Sequence, residues 1–413
     1  MNSISLLNLI VDGNTVKYQY SFSEDLGKFF TNDMMVLRYG HDMSGVPISI
    51  LSIPFVNCMA PLSWLTDAML FIDEIDETYY GALKQLKVAY SEQHRTDLKG
   101  LIVPSIIRKN VITKGTQSLL LFGGGVDCHS SYLRNSDTIA GVVNIYGWLK
   151  GEDHIAAVDL SDERQTAEFA NRFGIESYHV SSNFASQFNL GEIDKAIYSQ
   201  VGTTFWYGFL HSMAFLSIAT PIAWMKGYSN LMIASSFTKG RADVHCGSFI
   251  TTDSEFKFAT NGATIHDGFE LNRQNKVAIL VNYQRKTQKP YPIQACSFND
   301  HNCCICEKCF RTVVELVAEN ADPRDFGFNI VGSIANHWQT IVHRDVALWG
   351  VQKEDYYYYY ARKRMQENYD EIEDKEFVDW FLNYDFVKAK RQGLIRYYRK
   401  HFLSILKRKL KLG

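Results

Sequence analysis

Ser118-Leu119-Leu120-Leu121-Phe122-Gly123-Gly124-Gly125-Val126-Asp127-Cys128-His129-Ser130-Ser131 is the stretch on which the reading of this chain turns. Its apolar start has the length and composition of a buried strand. Three glycines then break the run, and Asp127 with a polar Ser/His segment opens what reads as a helix. So abrupt a bend needs backbone at positive φ with no Cβ in the way, which glycine supplies. It leaves bare N–H groups beside a helix N-terminus, a place suited to phosphate. Gly-Gly-Gly alone reads equally well as a plain turn; its place between strand and helix favours a site.

On either side of the loop, strand-like and helix-like segments alternate. Thr138–Tyr146 reads as a second strand, Ser161–Phe173 as a helix, Glu176–Val180 as a short strand and Leu231–Ser236 as a fourth. Such alternation implies right-handed crossovers and a parallel sheet, whose ligands sit at the carboxyl ends of the strands. Ala196–Met225 contains no Asp, Glu, Lys or Arg and is long enough to cross a bilayer. Its Gln, Thr, Ser, His and Pro residues favour a buried helix, with His211 as a hydrogen-bonded core residue.

Residues 1–110 read as an α+β region without a chemical motif. Val46–Phe55 suggests a strand with prolines at its margins; within Leu62–Tyr80 the acidic cluster of Asp73, Glu74, Asp76 and Glu77 reads as a solvated helix face rather than a metal or amine site. The 413 residues carry 43 basic and 45 acidic side chains, a balance without overall attraction to nucleic acid or membrane. The opening residues lack a basic start followed by a long apolar block, and a cytoplasmic location is expected.

Five of the eight cysteines lie between Cys296 and Cys309, a crowding that suits metal better than a disulfide frame. Cys303, Cys306 and Cys309 repeat every three residues and Cys296 lies seven before them. Four thiolates would close a tetrahedral zinc shell with no open position, hence a structural role. Cys304 is spare in this arrangement and His301 is the substitute ligand. An iron–sulfur cluster is the alternative occupant.

Together the two motifs carry a resemblance. The loop resembles the PP-loop of the ATP pyrophosphatases (Ser-Gly-Gly-x-Asp-Ser, then Thr or Ser), and the cysteines resemble the knuckle of the 7-cyano-7-deazaguanine synthase branch. In that branch the gap before the first Cys-x-x-Cys-x-x-Cys cysteine is usually longer. Thr204–Ala219 resembles the branch's long helix. Cys-Glu-Lys-Cys-Phe-Arg-Thr beside such a loop is also similar to uncharacterised PP-loop proteins of bacterial polysaccharide gene clusters. The likeness extends over about residues 115–325.

It implies a Rossmann-like, adenine nucleotide alpha hydrolase-like α/β core at 111–330 with a zinc knuckle. The α+β region at 1–110 and a helical appendage at 331–413 would flank it. The implied reaction cleaves ATP to AMP and pyrophosphate, activating a carboxylate, amide or carbonyl for a nitrogen nucleophile, with Mg2+ accompanying ATP. Gly123, Gly124, Gly125, Asp127, Cys128 and Ser130 would bind the nucleotide. Lys239, Arg241 and Arg273 are candidate phosphate or substrate contacts, and Asp253 or Asp267 candidate magnesium ligands. Partners would be a small-molecule substrate and a nitrogen donor.

With Asp127 on the family aspartate, Gly123 and Cys128 replace its two serines, and Ser130 is the nearest hydroxyl. A nucleotide-binding pseudoenzyme or regulator is therefore the first alternative, and a thiol of Cys128 activated by the helix N-terminus is another reading. No residue stands out as a general base. Tyr356–Tyr360 with Arg362, Lys363 and Arg364 reads as a packed amphipathic helix rather than a base-stacking platform. From Val387 onward ten Lys or Arg and no acid could meet RNA or an anionic membrane surface, which keeps a tRNA-modifying enzyme as the second alternative.

Overall fold

The computed structural model describes residues 2–410 apart from 114, 148–156, 240–244, 297–298 and 350–355. Two compact units divide the chain, Met1–Glu270 and Leu271–Gly413.

The first unit is α/β. Its strands are β1 (Ser3–Asp12), β2 (Thr15–Phe22), β3 (Met34–Tyr39), β4 (Met69–Asp76), β5 (Leu101–Arg108), β6 (Ser118–Leu121), β7 (Ile139–Tyr146), β8 (Glu176–Ser182), β9 (Asn230–Ala234), β10 (Lys257–Phe258) and β11 (Gly262–Asp267). Its helices are α1 (Ile48–Leu65), α2 (Glu77–His94), α3 (Val126–Arg134), α4 (Ala157–Phe173), α5 (Leu190–Val201), α6 (His211–Lys226) and α7 (Ile250–Asp253). All the strands join one mostly parallel sheet of order β10-β11-β9-β6-β7-β8-β3-β2-β1-β4-β5. Within it, β8-β7-β6-β9-β11 are mutually parallel, and the order of connection reverses between β6 and β9. The N-terminal strands β1–β5 extend this same sheet through the antiparallel β3–β8 pairing.

Alternation along β6 explains why it is central. Leu119 faces a core that includes Ile218 and Leu231, while Leu120 and Phe122 face another with Val142, Tyr132 and Phe169. Both faces are covered, so the strand reads as a continuous apolar run.

Three expectations need correction. Val46–Phe55 is no strand: α1 starts at Ile48, and every residue from Ser49 to Trp64 is buried. A helix enclosed on all sides has no polar stripe, and a short apolar run cannot be told from a strand by periodicity. Pro54 and Pro61 lie inside it. Nor is the acidic cluster one helix face: Asp73, Glu74 and Asp76 lie on β4, and Glu77 opens α2. Buried Asp76 caps α2, accepting from the Tyr79 and Ala259 amides at 2.8 Å each and from Asn110 Nδ2 at 3.0 Å. Finally, Ala196–Met225 is broken at Gly202 (φ 67°), where α5 ends, and re-enters through a π-helical turn at Trp206–Leu210 before α6. Ile48–Leu65 and Trp206–Lys226 are each long and apolar enough to cross a membrane, but their most apolar windows are 89% and 78% buried inside the protein.

The second unit is helical: α8 (Arg273–Thr287), α9 (Glu307–Ala318), α10 (Ile334–Asp345), α11 (Tyr356–Glu367), α12 (Lys375–Asn383) and α13 (Phe386–Leu410). Phe310 on α9 anchors it, its ring 5.0 Å from Trp338, 5.3 Å from Trp349 and 5.7 Å from Tyr358. Tyr358 of the tyrosine run is thus core. Arg362 donates to the carbonyls of Phe381, Leu382 and Tyr384 at the end of α12, and Arg364 grips Glu319 with two bonds of 2.9 Å.

Candidate functional site

The glycine loop follows β6 at its carboxyl end, beside the reversal of strand order. Gly123 is exposed, and a Cβ built there would meet nothing within 4 Å. Gly124 has φ of 70°, which a side chain adopts only at a cost of ~1–2 kcal/mol. Gly125 is the N-cap of α3 and supplies no side-chain cap, so the first amides of the helix depend on backbone or ligand.

Within the loop, Cys128 is 7% exposed and its thiol donates to the Gly125 carbonyl at 3.1 Å. Burial pushes that thiol up to about 12, outweighing the backbone of Gly123, Gly124 and Gly125, which favours the thiolate. Desolvation outweighs the helix end, and the activated-thiol reading of Cys128 is overturned. His129, packed against Phe122 and Phe169, is held down to about 3 by burial and by the charge of Arg172. Ser130 is 2% exposed. Asp127 is half-exposed at the first turn of α3.

Two neighbours hold the loop and its helix: Asn144, which the sequence reading misses, and Asp267, which it takes for a candidate magnesium ligand. Asp267, ending β11, clasps α3: it accepts from Ser131 Oγ at 2.7 Å, Asn135 Nδ2 at 3.1 Å and Arg134 Nη1 at 3.2 Å. Asn144 on β7 donates through Nδ2 to the Phe122 carbonyl at 3.2 Å, directly before the glycines. Asn144 is 5% exposed, and its Oδ1 is buried without a donor among the described residues. Nothing local in the sequence announces either contact; the partners lie 136 and 22 residues away.

The remaining candidates lie elsewhere. Lys239 is exposed, with its amide on the Phe269 carbonyl at 2.8 Å; Arg241 lies outside the described residues. Asp253 accepts from Ser248 Oγ at 2.7 Å and contacts His266 Nδ1 at 2.8 Å, a buried pair. With Asp267 committed to α3, both candidate magnesium carboxylates are already engaged. Arg273 belongs to the second unit, where it donates to Glu315 at 3.0 Å and Thr312 at 3.2 Å. His211 sits at the Trp206 carbonyl (3.0 Å) and 3.7 Å from Cys246 Sγ.

In the second unit the Sγ atoms of Cys296, Cys303, Cys306 and Cys309 lie within 4.8 Å of one another. Sulfurs bound at about 2.3 Å to a tetrahedral zinc stand about 3.8 Å apart. Cys303 and Cys309 are 3.9 Å apart, and Cys296 and Cys306 4.0 Å. The four residues therefore fit a metal such as zinc. Cys306 is the N-cap of α9 and accepts from the Cys309 amide at 3.4 Å. Hydrogen bonds from the Cys309 thiol and amide bring Cys306 below the ordinary thiol value.

Asn302 draws Cys296 in, accepting from the Ala295 and Cys296 amides at 2.9 and 3.3 Å and donating to the Ile293 and Gly327 carbonyls. Cys304, at φ 53°, hydrogen-bonds the Asn302 carbonyl and stays spare. His301 is exposed and paired with Asp300 rather than with the cluster.

Fold and site thus define an α/β protein with a four-cysteine cluster that could hold a metal such as zinc. Set against known proteins, the chain matches no family model and no curated protein sequence.

Proposed function

We propose that this chain is an ATP-dependent adenylating enzyme with a PP-loop-type, Rossmann-like core. The observation that carries the reading is the open glycine loop at the carboxyl end of β6, next to the point where the strand order reverses, where open α/β sheets bind ligands. The phosphates of ATP lie on the Gly123–Gly125 amides and the positive end of α3. Asn144 Oδ1 accepts a hydrogen bond from the adenine amino group or a ribose hydroxyl, a donor it does not find among the described residues. Asp267 acts as a positioning residue by fixing α3.

The chain contributes orientation and charge stabilisation as pyrophosphate leaves the α-phosphorus and an oxygen of the substrate takes its place. The adenylated substrate then meets a nitrogen nucleophile, releasing AMP. Zinc on the four cysteines would brace the second unit, and Mg2+ would arrive with ATP.

A second reading is favoured by one feature. The positions of the two PP-loop hydroxyls hold Gly123 and a buried neutral thiol, and Ser130 is buried as well. Nucleotide binding without turnover would follow. Calorimetry with ATP and Mg2+, combined with a pyrophosphate-release assay over a panel of carboxylic acids, separates the two. Binding plus acid-stimulated pyrophosphate supports the enzyme; binding with no pyrophosphate supports the regulator; no ATP binding removes both.

A further inference from the structure

Helix α13 (Phe386–Leu410) has one side against its own unit and one side open. On the packed side, Phe386 stacks with Tyr358, Gly393 lies where a Cβ would approach Ala347 to 2.8 Å, and Lys390 Nζ donates to the Trp349 carbonyl at 2.7 Å. On the open side, Lys388, Arg391, Arg396 and Arg399 are exposed, and none has an ion-pair partner among the described residues. Val387, Ile395 and Tyr398 lie among them, 47%, 46% and 57% exposed.

Charge is segregated here. From Val387 to Gly413 there are ten Lys or Arg and no acid in a chain whose net charge is −2, so the preceding residues are strongly net acidic. In the sequence, Leu394, Tyr398, Phe402, Ile405 and Leu406 recur at three- and four-residue spacing, the period of one helical stripe. Cations flanking an apolar stripe are the composition of a helix that lies in a membrane interface.

We propose that α13 docks this chain on an anionic lipid surface. The cations meet the negative headgroups, the apolar stripe enters the acyl boundary, and the acidic remainder of the chain is repelled from that surface. RNA would satisfy the cations and stack on Tyr398 but would leave Ile395 and Leu394 in water, so lipid is the better match.

The test is co-sedimentation of the full chain with vesicles of phosphatidylcholine alone and with 30% phosphatidylserine, at about 50 and 300 mM salt. Binding is expected only to the anionic vesicles, and weaker at high salt. The quadruple variant K388E/R391E/R396E/R399E should lower it about a hundredfold or more, and I395D/Y398D should lower it at both salt concentrations. Far-ultraviolet circular dichroism and the metal content of the four-cysteine cluster report whether each variant is folded. Three outcomes overturn the proposal: no anionic preference, anionic binding unchanged in a folded quadruple variant, or binding of a mixed-sequence RNA by a chain that ignores the vesicles.

Discussion

The glycine loop of the first unit and the cysteine loop of the second are both short turns that feed the N-terminus of a helix. They differ in how much of their chemistry the chain itself completes. Around α9, four sulfurs already stand at nearly the mutual distances a tetrahedral ion requires, and both ends of the Asn302 amide are engaged, with the Ala295 and Cys296 amides and with the Ile293 and Gly327 carbonyls. Around α3, a buried thiol donates to the Gly125 carbonyl, Gly123 is open, and Asn144 Oδ1 is buried with no donor among the described residues. The cysteine loop has the geometry of a structural metal site, and the glycine loop keeps an open position and a buried acceptor for the proposed nucleotide.

The sharpest way to break this contrast is Cys306→Ser. Structural zinc sites contribute ~10–16 kcal/mol of apparent binding free energy that is also folding free energy; Cys306 is one of the four candidate ligands, and serine keeps the N-cap of α9 while removing the thiolate. Elemental analysis should fall from about one zinc per chain to well below that. The unfolding transition of the second unit should shift or lose cooperativity, because Phe310 and its aromatic shell ride on the same helix. A parent chain free of metal, with a variant that melts identically, would sink the structural assignment.

These two loops also mark where the sequence is legible. Cys-x-x-Cys-x-x-Cys and a strand broken by glycines are local patterns, and β6, β7, β8 and β9 fall within a few residues of where their apolar runs place them. What escaped is non-local. The acidic residues of Asp73–Glu77 look like a solvated helix face until Asp76 is seen gathering amides from α2 and from Ala259, 183 residues on. The prolines of α1 read as strand margins because an enclosed helix shows no periodicity. At the candidate site, the glycines are visible in the sequence and Asp267 stands out there only as a carboxylate; its clasp on α3, and any part for Asn144, appear when the sheet sets β7 and β11 on either side of β6 and β9.

The first unit's side of the comparison can be tested through pH. His129 and His94 are buried, His129 held down to about 3 by burial and the Arg172 charge, His94 to about 4 mainly by burial, against an ordinary value of 6.5. A folded pKa below the unfolded one favours the neutral form. The stability is therefore fully present above pH 6.5 and is lost as the pH falls toward the folded values. From pH 7 to pH 5 each histidine should cost about 2 kcal/mol, read by urea denaturation at the two pH values. His129→Phe, whose ring suits the contacts with Phe122 and Phe169, should remove one of the two increments. A slope unchanged by that substitution would mean that His129 is not buried as a neutral ring.

The smallest expected effect is the most discriminating for the glycine loop. Asn144→Leu removes one hydrogen bond to the Phe122 carbonyl, worth about 1 kcal/mol, and also removes the undonated oxygen whose burial is unfavourable. Stability should therefore change by less than about 1 kcal/mol. If Oδ1 receives the adenine amino group or a ribose hydroxyl, ATP affinity should fall about tenfold, while pyrophosphate, which reaches only the glycine amides and α3, should bind as before. Parallel losses of ATP and pyrophosphate would instead show that Asn144 merely shapes the Phe122 turn. Equal ATP affinity in parent and variant would take the nucleotide away from β7 altogether, leaving the glycines to hold a phosphate with no base beside it.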